Sequence, residues 1–392
     1  MKRVLSLLLA AVMLLSLAGC AIQPQTPSTN ATTEPTKPTE PTVPALPDNT
    51  MTGEELMMEM KIGWNLGNTF DAPDGETSWG MPATTREIIQ AVKDMGFNTL
   101  RLPVSWHKHL SAAPEYTIDE AWLKRVTMIV DYALELDMYV IINSHHDNSV
   151  YMPTPENQEA GQQYLSAIWS QIATHFKDYD YHLIFETMNE PRVEGSSYEW
   201  YIDTRNEKAM AAVEVVNVLN QSAVDAIRAT GGYNAQRWIV VSPYAANYFS
   251  SAMSAFRLPE DPAGKLIVSM HSYSPYNLAL NVNSDVDTFS KADYSDISSP
   301  IKSLHNKFVK NGIPVIIDEM GCRNKGNDEA RYEWAKYYVS TAKEYGMVCC
   351  WWDNGVTTTS SEGFGILNRR KLAVYEESQR VLQGLMDGLK TE

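Results

Sequence analysis

The sequence predicts a single (β/α)8 TIM barrel, and three observations carry that expectation. Eight short apolar runs recur along the chain, the segments between them are amphipathic with helical period, and every run closes in polar or aromatic side chains. The runs open at KIGWNLG (61), TLRLPV (99), YVIINSHHD (139), YHLIFETMNEP (181), RWIVVSPY (237), LIVSMHSY (266), PVIIDEMG (314) and VCCWWDNG (348). They start 29 to 56 residues apart, about the length of a strand, loop, helix and loop. Eight such units suit a closed parallel barrel. A doubly wound open sheet has the same alternation, but no GxGxxG follows the first run.

Taken in order, the elements begin with an address. Residues 1–19 carry Lys2 and Arg3, then an apolar run, then small residues, the layout of a secretory signal peptide. The run ends Leu17, Ala18, Gly19, Cys20, which resembles a bacterial lipobox and makes Cys20 the expected lipidation site. Acyl chains there would hold the protein on a membrane without a spanning helix. Residues 20–50 follow as a tether: seven prolines and eight threonines fall between positions 21 and 50, with almost no large apolar side chain. Such a segment cannot bury enough surface to offset the entropy of ordering. The barrel is expected over residues 51–392, as one domain.

Within the barrel, Thr84 and Glu87 have the spacing of a capping box, and Ile88, Ile89, Val92 and Met95 then share one helical face before Gly96. Trp122, Val126, Ile129, Val130 and Ala133 repeat that period. Gly96, Gly312 and Gly346 each stand just before an apolar run, where a helix must stop and return the chain to the sheet.

Charge and cysteine usage exclude some functions. With 32 Lys plus Arg against 48 Asp plus Glu, the formal charge is -16, which argues against a nucleic acid partner. Four cysteines, at 20, 322, 349 and 350, form neither a disulfide framework nor a CxxC metal pattern. Cys349 and Cys350 read as barrel and interface packing.

The run ends carry the chemistry. They present Asn65 and Asn68, Arg101, His145 and His146, Asn189 and Glu190, Tyr244, His271 and Tyr273, Glu319, and Trp351 with Trp352. A barrel gathers them at one mouth. Glu190 and Glu319 each close a run too apolar for a surface edge, and a buried carboxylate needs a partner or a purpose. Two carboxylates across a cleft suit glycosidic bond cleavage, while aromatic rings suit sugar faces and Asn, His and Arg suit hydroxyls. His145, His146 and Asp147 could suggest a metal, but no third ligand at helical spacing accompanies them, so neither metal nor cofactor is expected. Trp351 and Trp352 alternate, so one should face the core and the other the site.

KIGWNLGNTFDA, ETSWG, GFNTLRLPVSW, YVIINSHHD, HLIFETMNEPR, ATGGYNAQRWIVVSPYAA, HSYSPYNLA and WWDNG resemble glycoside hydrolase family 5, most closely its subfamily 4 of bacterial endoglucanases and xyloglucanases. The resemblance implies Glu190 as acid/base and Glu319 as nucleophile. It implies Asn189 on the sugar 2-hydroxyl, Arg101 and Tyr273 against Glu319 favouring its ionised form, His271 beside Glu190, His145 shaping the subsite and Trp352 as the sugar platform. The acid is expected to keep its proton by desolvation and carboxylate repulsion. Asn65 and His146 are expected to bind substrate with them, and Trp79 is a candidate for a flanking subsite. The family usually has Gly before the nucleophile and an aromatic after it, where this chain has Asp318 and Met320. Strand alternation would send Glu319 inward with Ile317 and turn Asp318 toward the surrounding helices.

The expected activity is that of a retaining endo-β-1,4-glucanase on carboxymethyl cellulose, mixed-linkage glucan or xyloglucan. The alternatives are a mannanase or xylanase of the same fold and a surface polysaccharide-binding protein without catalysis. The expected partners are the β-glucan chain and, through Cys20, a bacterial membrane, with the protein secreted to the cell surface as a monomer.

Overall fold

The computed structural model describes residues 49–391, so the signal peptide, Cys20 and most of the tether lie outside the described residues. Asn49, assigned to the tether by composition, already docks on the barrel, its backbone amide donating to Gln236 Oε1 at 2.7 Å. Each of the eight apolar runs forms a strand: β1 Gly63–Leu66, β2 Thr99–Leu102, β3 Tyr139–Asn143, β4 Leu183–Glu186, β5 Ile239–Val241, β6 Leu266–His271, β7 Val315–Met320 and β8 Val348–Asp353. They pair in chain order, all parallel, and β8 closes on β1. This is the (β/α)8 barrel that the periodicity predicts.

The helices follow the predicted faces. α1 (Gly53–Met60) precedes the barrel, α2 (Arg86–Asp94) buries Ile88, Ile89 and Val92, and α3 (Glu120–Leu134) buries the five residues that share its apolar period. Gly96, Gly312 and Gly346 have φ of 106, 79 and 70°, where a side chain would be strained. One detail shifts. The N-cap of α2 is Thr85, not Thr84, and its side chain makes no capping bond.

Alternation along each strand divides the apolar residues into two cores. Outward residues such as Trp64, Leu100, Val140, Ile142, Ile317 and Trp351 meet the helices. Inward residues, among them Tyr139, Ile184, Trp238, Ile267, Ile316 and Cys350, fill the lower bore, which α1 plugs with Leu56, Met57 and Met60. A capping box between Thr52 and Glu55 starts that plug. The bore is tight at its seam, where a Cβ on Gly63 would run into Cys350 Sγ. Cys349 packs in the outer core and Cys350 in the inner one.

β7 breaks the alternation. Against β6 its register passes from Ser269↔Ile316 to His271↔Glu319, and against β8 from Ile317↔Cys349 to Met320↔Trp351. Three steps on β7 match two on each neighbour, the signature of a β-bulge. Ile317 and Met320 both join the outer core, while Asp318 and Glu319 between them both reach groups of the bore. The expectation that Asp318 points to the helices is therefore corrected. It is fully buried inside the barrel, because the extra residue absorbs the half-turn that regular alternation assigns to it.

Candidate active site

The mouth is organised around Arg101, which projects inward from β2 and is fully buried. Its Nε and Nη2 each donate to Glu186 at 2.7 Å, a bidentate pair. Nη1 donates to Glu319 at 2.8 Å and to Asn65 Oδ1 at 2.9 Å, and Nη2 donates to Asn189 Oδ1 at 2.7 Å. One guanidinium thus fixes side chains from the ends of β1, β4 and β7. Burial alone would lower its pKa, but Glu186, Glu319 and Asp318 hold it well above the ordinary value.

Glu319 accepts a second bond, from the Tyr273 hydroxyl at 3.0 Å. Burial and the adjacent Glu319 push that phenol well up, so it stays a donor. Glu190 follows the end of β4 and stands opposite. Its Oε1 is 2.7 Å from His271 Nδ1, and its Oε2 is 3.3 Å from Arg192 Nη1. His271 also lies 3.6 Å from Glu319, so it bridges the two carboxyl groups. One oxygen of Glu190 and one of Glu319 come within 4.8 Å of each other.

The two carboxyl groups differ in setting. Burial pushes Glu190 up, but the His271 hydrogen bond and charge, with Arg192 and His146, outweigh it and hold the carboxyl below its usual value. His271 is the counterpart: burial lowers it, yet Glu319, Asp318 and Glu190 raise it to about 9. The expectation that Glu190 keeps its proton through desolvation and carboxylate repulsion is therefore corrected: burial acts in that direction, but the contacts with His271 and Arg192 favour the ionised carboxyl.

The walls are aromatic. Trp352 and His145 lie parallel, 2° between planes and 5.7 Å between centroids, and the Trp352 ring rests where only a glycine, Gly67, leaves room. Trp351 faces the opposite way into the outer core, as alternation predicts. His145 is buried and its pKa is held well down by burial, then by His146, Arg101 and His271, so the ring is neutral. His146 is half-buried and packs against Trp79, which is exposed.

Not every expected residue reaches the cleft. Asn65 is fully buried, with its Nδ2 donating to the Asp318 carbonyl at 2.9 Å and the Trp351 carbonyl at 3.2 Å, and its Oδ1 held by Arg101. Its expected role on substrate is corrected: its polar atoms bind the barrel. Asn189 differs, since Arg101 ties only its Oδ1 and leaves Nδ2 as the group to donate. Tyr244 holds the loop after β4, accepting from the Val193 amide at 2.9 Å.

Sequence reasoning missed Glu186, the bidentate partner of Arg101, and Arg192, which links Glu190 to Glu194 and Glu199 while covering the Trp200 ring. A signal for Glu186 existed. It stands two residues after inward Ile184 in an apolar run, and a buried Arg on a nearby strand needs a carboxylate. Asp71, His145 and His146 have the proximity of a metal-ligand set, as do Glu190, His271 and Glu319. Asp71 already accepts from the Asn68 and Thr69 amides, which turns its loop. In the second set, His271 holds Glu190 while Arg101 and Tyr273 hold Glu319.

Two carboxyl groups this close, one clamped by fixed donors and the other paired with an imidazole, fit acetal cleavage on a polysaccharide. The model of the Cellulase family, glycosyl hydrolase family 5, matches residues 65–358. The chain belongs to glycosyl hydrolase family 5. This hydrolase is 44% identical, with a TM-score of 0.81, to a broad-specificity endoglucanase of subfamily 4 from Ruminococcus champanellensis with bound cellotriose, covering 86% of this chain and 98% of that one. A mutant lichenase from Caldicellulosiruptor sp. F32 in complex with cellotetraose is 40% identical with a TM-score of 0.82, covering 89% of the hydrolase and 98% of the lichenase. The hydrolase is also 41% identical over 397 residues to the cellulase/esterase CelE of Acetivibrio thermocellus. It matches along its full length but spans only 48% of that relative.

Proposed function

We propose that this hydrolase is a retaining endo-β-1,4-glucanase that cleaves soluble β-glucans such as mixed-linkage glucan, xyloglucan and carboxymethyl cellulose. The observation that carries the mechanism is the approach of Glu190 and Glu319 to within 4.8 Å. Retaining enzymes hold their carboxyl groups about 5 to 5.5 Å apart, too close for an intervening water. Relatives named endoglucanase and lichenase, with cello-oligosaccharides bound, support the substrate class.

In this reading Glu319 is the nucleophile. Arg101 and Tyr273 aim its carboxylate at the anomeric carbon while Glu190 passes a proton to the departing glycosidic oxygen. The C1–O bond breaks and an ester to Glu319 forms. Glu190, now a carboxylate, takes a proton from water, whose oxygen displaces Glu319 from C1. Two inversions restore the starting configuration. Asn189 donates to the sugar 2-hydroxyl, Trp352 and His145 form the wall beside that sugar, and Trp79 with His146 extends it.

Proton NMR of early product tests this. The β anomer should appear first, and initial release of the α anomer would sink the mechanism. Glu319→Ala should lose about 10⁴-fold or more in rate. Glu190→Ala should be less impaired on an activated aryl glycoside, and azide should rescue it with retained configuration. Rescue with inversion would mean that the two roles are exchanged.

The N-terminal signal supports a second reading, that the protein is a bacterial surface lipoprotein anchored through Cys20. Cys20→Ala should abolish incorporation of labelled palmitate and release the protein from the membrane fraction. Label that persists in the variant would reject this site.

A further inference from the structure

The β7 bulge places Asp318 beside the acid/base machinery rather than behind it. Asp318 Oδ1 accepts from Ser269 Oγ at 2.8 Å and the Met270 amide at 3.3 Å, and it lies 3.5 Å from His271 Nε2. The other carboxylate oxygen, Oδ2, has no hydrogen-bond partner among the described residues, and neither has His271 Nε2. On the far edge of the same ring, Nδ1 is 2.7 Å from Glu190 Oε1. The imidazole thus lies between two carboxyl groups, hydrogen-bonded to Glu190 at Nδ1 and facing Asp318 at ion-pair distance from Nε2.

We propose that Asp318 is a positioning residue for the proton-transfer step, acting through His271. Its charge keeps a proton on Nε2 and presents Nδ1 to Glu190, so that one proton is exchanged along the Nδ1···Oε1 contact. When Glu190 carries that proton, the ring is neutral and accepts at Nδ1. When the ring carries it, Glu190 is a carboxylate, which is the state needed to take a proton from water in the second step. No proton is created or lost by the exchange. This inference rests on Glu190 being the acid/base.

The surroundings fix the sign of the pH dependence. His271 is faced by Glu190 beyond β4 and by Asp318 and Glu319 on β7, with His145 nearby after β3, while Tyr273 beyond β6 acts on it through Glu319. Asp318 is faced by Arg101 of β2, Glu186 of β4, His271 and Ser269 of β6 and Cys350 of β8. Arg192 and His146 act on Glu190 from the other side. Burial pushes Asp318 up to about 6, so above that pH it is an anion that favours the protonated ring. Removing the charge must lower the pKa at which the Glu190–His271 pair loses its proton.

Asp318→Asn tests this. The alkaline limb of kcat/KM on β-glucan should move to lower pH by roughly one unit, the size expected for losing an opposite charge within a few ångströms. With an activated aryl cellobioside, whose leaving group needs little protonation, the limb should stay in place. A folded variant whose limb does not move on β-glucan overturns the proposal, since a purely structural residue would scale the rate without shifting the profile. Should the variant not fold, ¹⁵N-imidazole NMR of the wild type decides. Nε2 must remain protonated across the alkaline limb, and an Nδ1–H tautomer there refutes the role. The azide experiment on Glu190→Ala separates the two readings: rescue without a limb shift in Asp318→Asn rejects Asp318 alone, whereas no rescue rejects the acid/base reading beneath it.

Discussion

The two ends of the barrel bore use the same strands for opposite purposes. At the lower end, Ile184, Ile267, Ile316 and Val348 pack against the α1 plug, and the core is apolar. Two residues further along β4 and β7, the inward positions become Glu186 and Asp318, and Arg101 stands on β2. The lower layer gains from leaving water. The upper layer is worse off for every charge it buries, and it holds together only because each charge has a named partner. Stability and chemistry are thus separated by one inward step along the strands.

That separation can be broken most severely at Arg101. Replacing it by Leu leaves Glu186 fully buried without its bidentate partner, so unfolding should become easier by about 3–5 kcal/mol. Activity should vanish with it, because Glu319 loses a donor. Adding Glu186→Leu should return much of the stability, measured by denaturant unfolding, while activity stays absent. A double variant no more stable than the single one would show that the upper layer contributes more than a cancelled pair of charges.

A smaller effect sharpens the contrast. Ile184→Val removes one methylene from the lower layer of the same strand, and it should cost about 0.5–1.5 kcal/mol. Its kcat/KM on β-glucan should match the wild type below the unfolding temperature. A loss of turnover without a loss of stability would mean that packing at the floor tunes the mouth.

The same contrast explains what the sequence revealed. Eight strands were legible because their apolar runs are a one-dimensional signal, and the glutamates at the ends of the fourth and seventh runs stood out against them. The helix faces of α2 and α3 were legible for the same reason. The bulge was not, because one extra residue on β7 is defined only by its neighbours' registers, and regular alternation placed Asp318 on the wrong side. Asn65 looked like a ligand for sugar because a strand end is where a barrel places its site, but its amide is used up by the carbonyls of β7 and β8. Glu186 hid inside an apolar run, and its purpose appears only when Arg101 is seen across β3.

The seam between first and last strands has a consequence for how the catalyst comes into being. Asn65 is bonded to the backbone of β7 and β8, the Trp64 indole to Asp353, and Arg369 to the Gly67 carbonyl, contacts that span 253, 289 and 302 residues of chain. Contacts this distant in sequence close very long loops and raise the contact order, which slows folding. Asn65 also steadies Arg101, and Arg101 aims Glu319. A nascent chain that has emerged only through β7 already owns both glutamates, yet it lacks the β8 carbonyl that Asn65 binds and the Asp353 that holds the Trp64 indole. Turnover should therefore require ring closure, and a chain truncated before Val348 is expected to be inert.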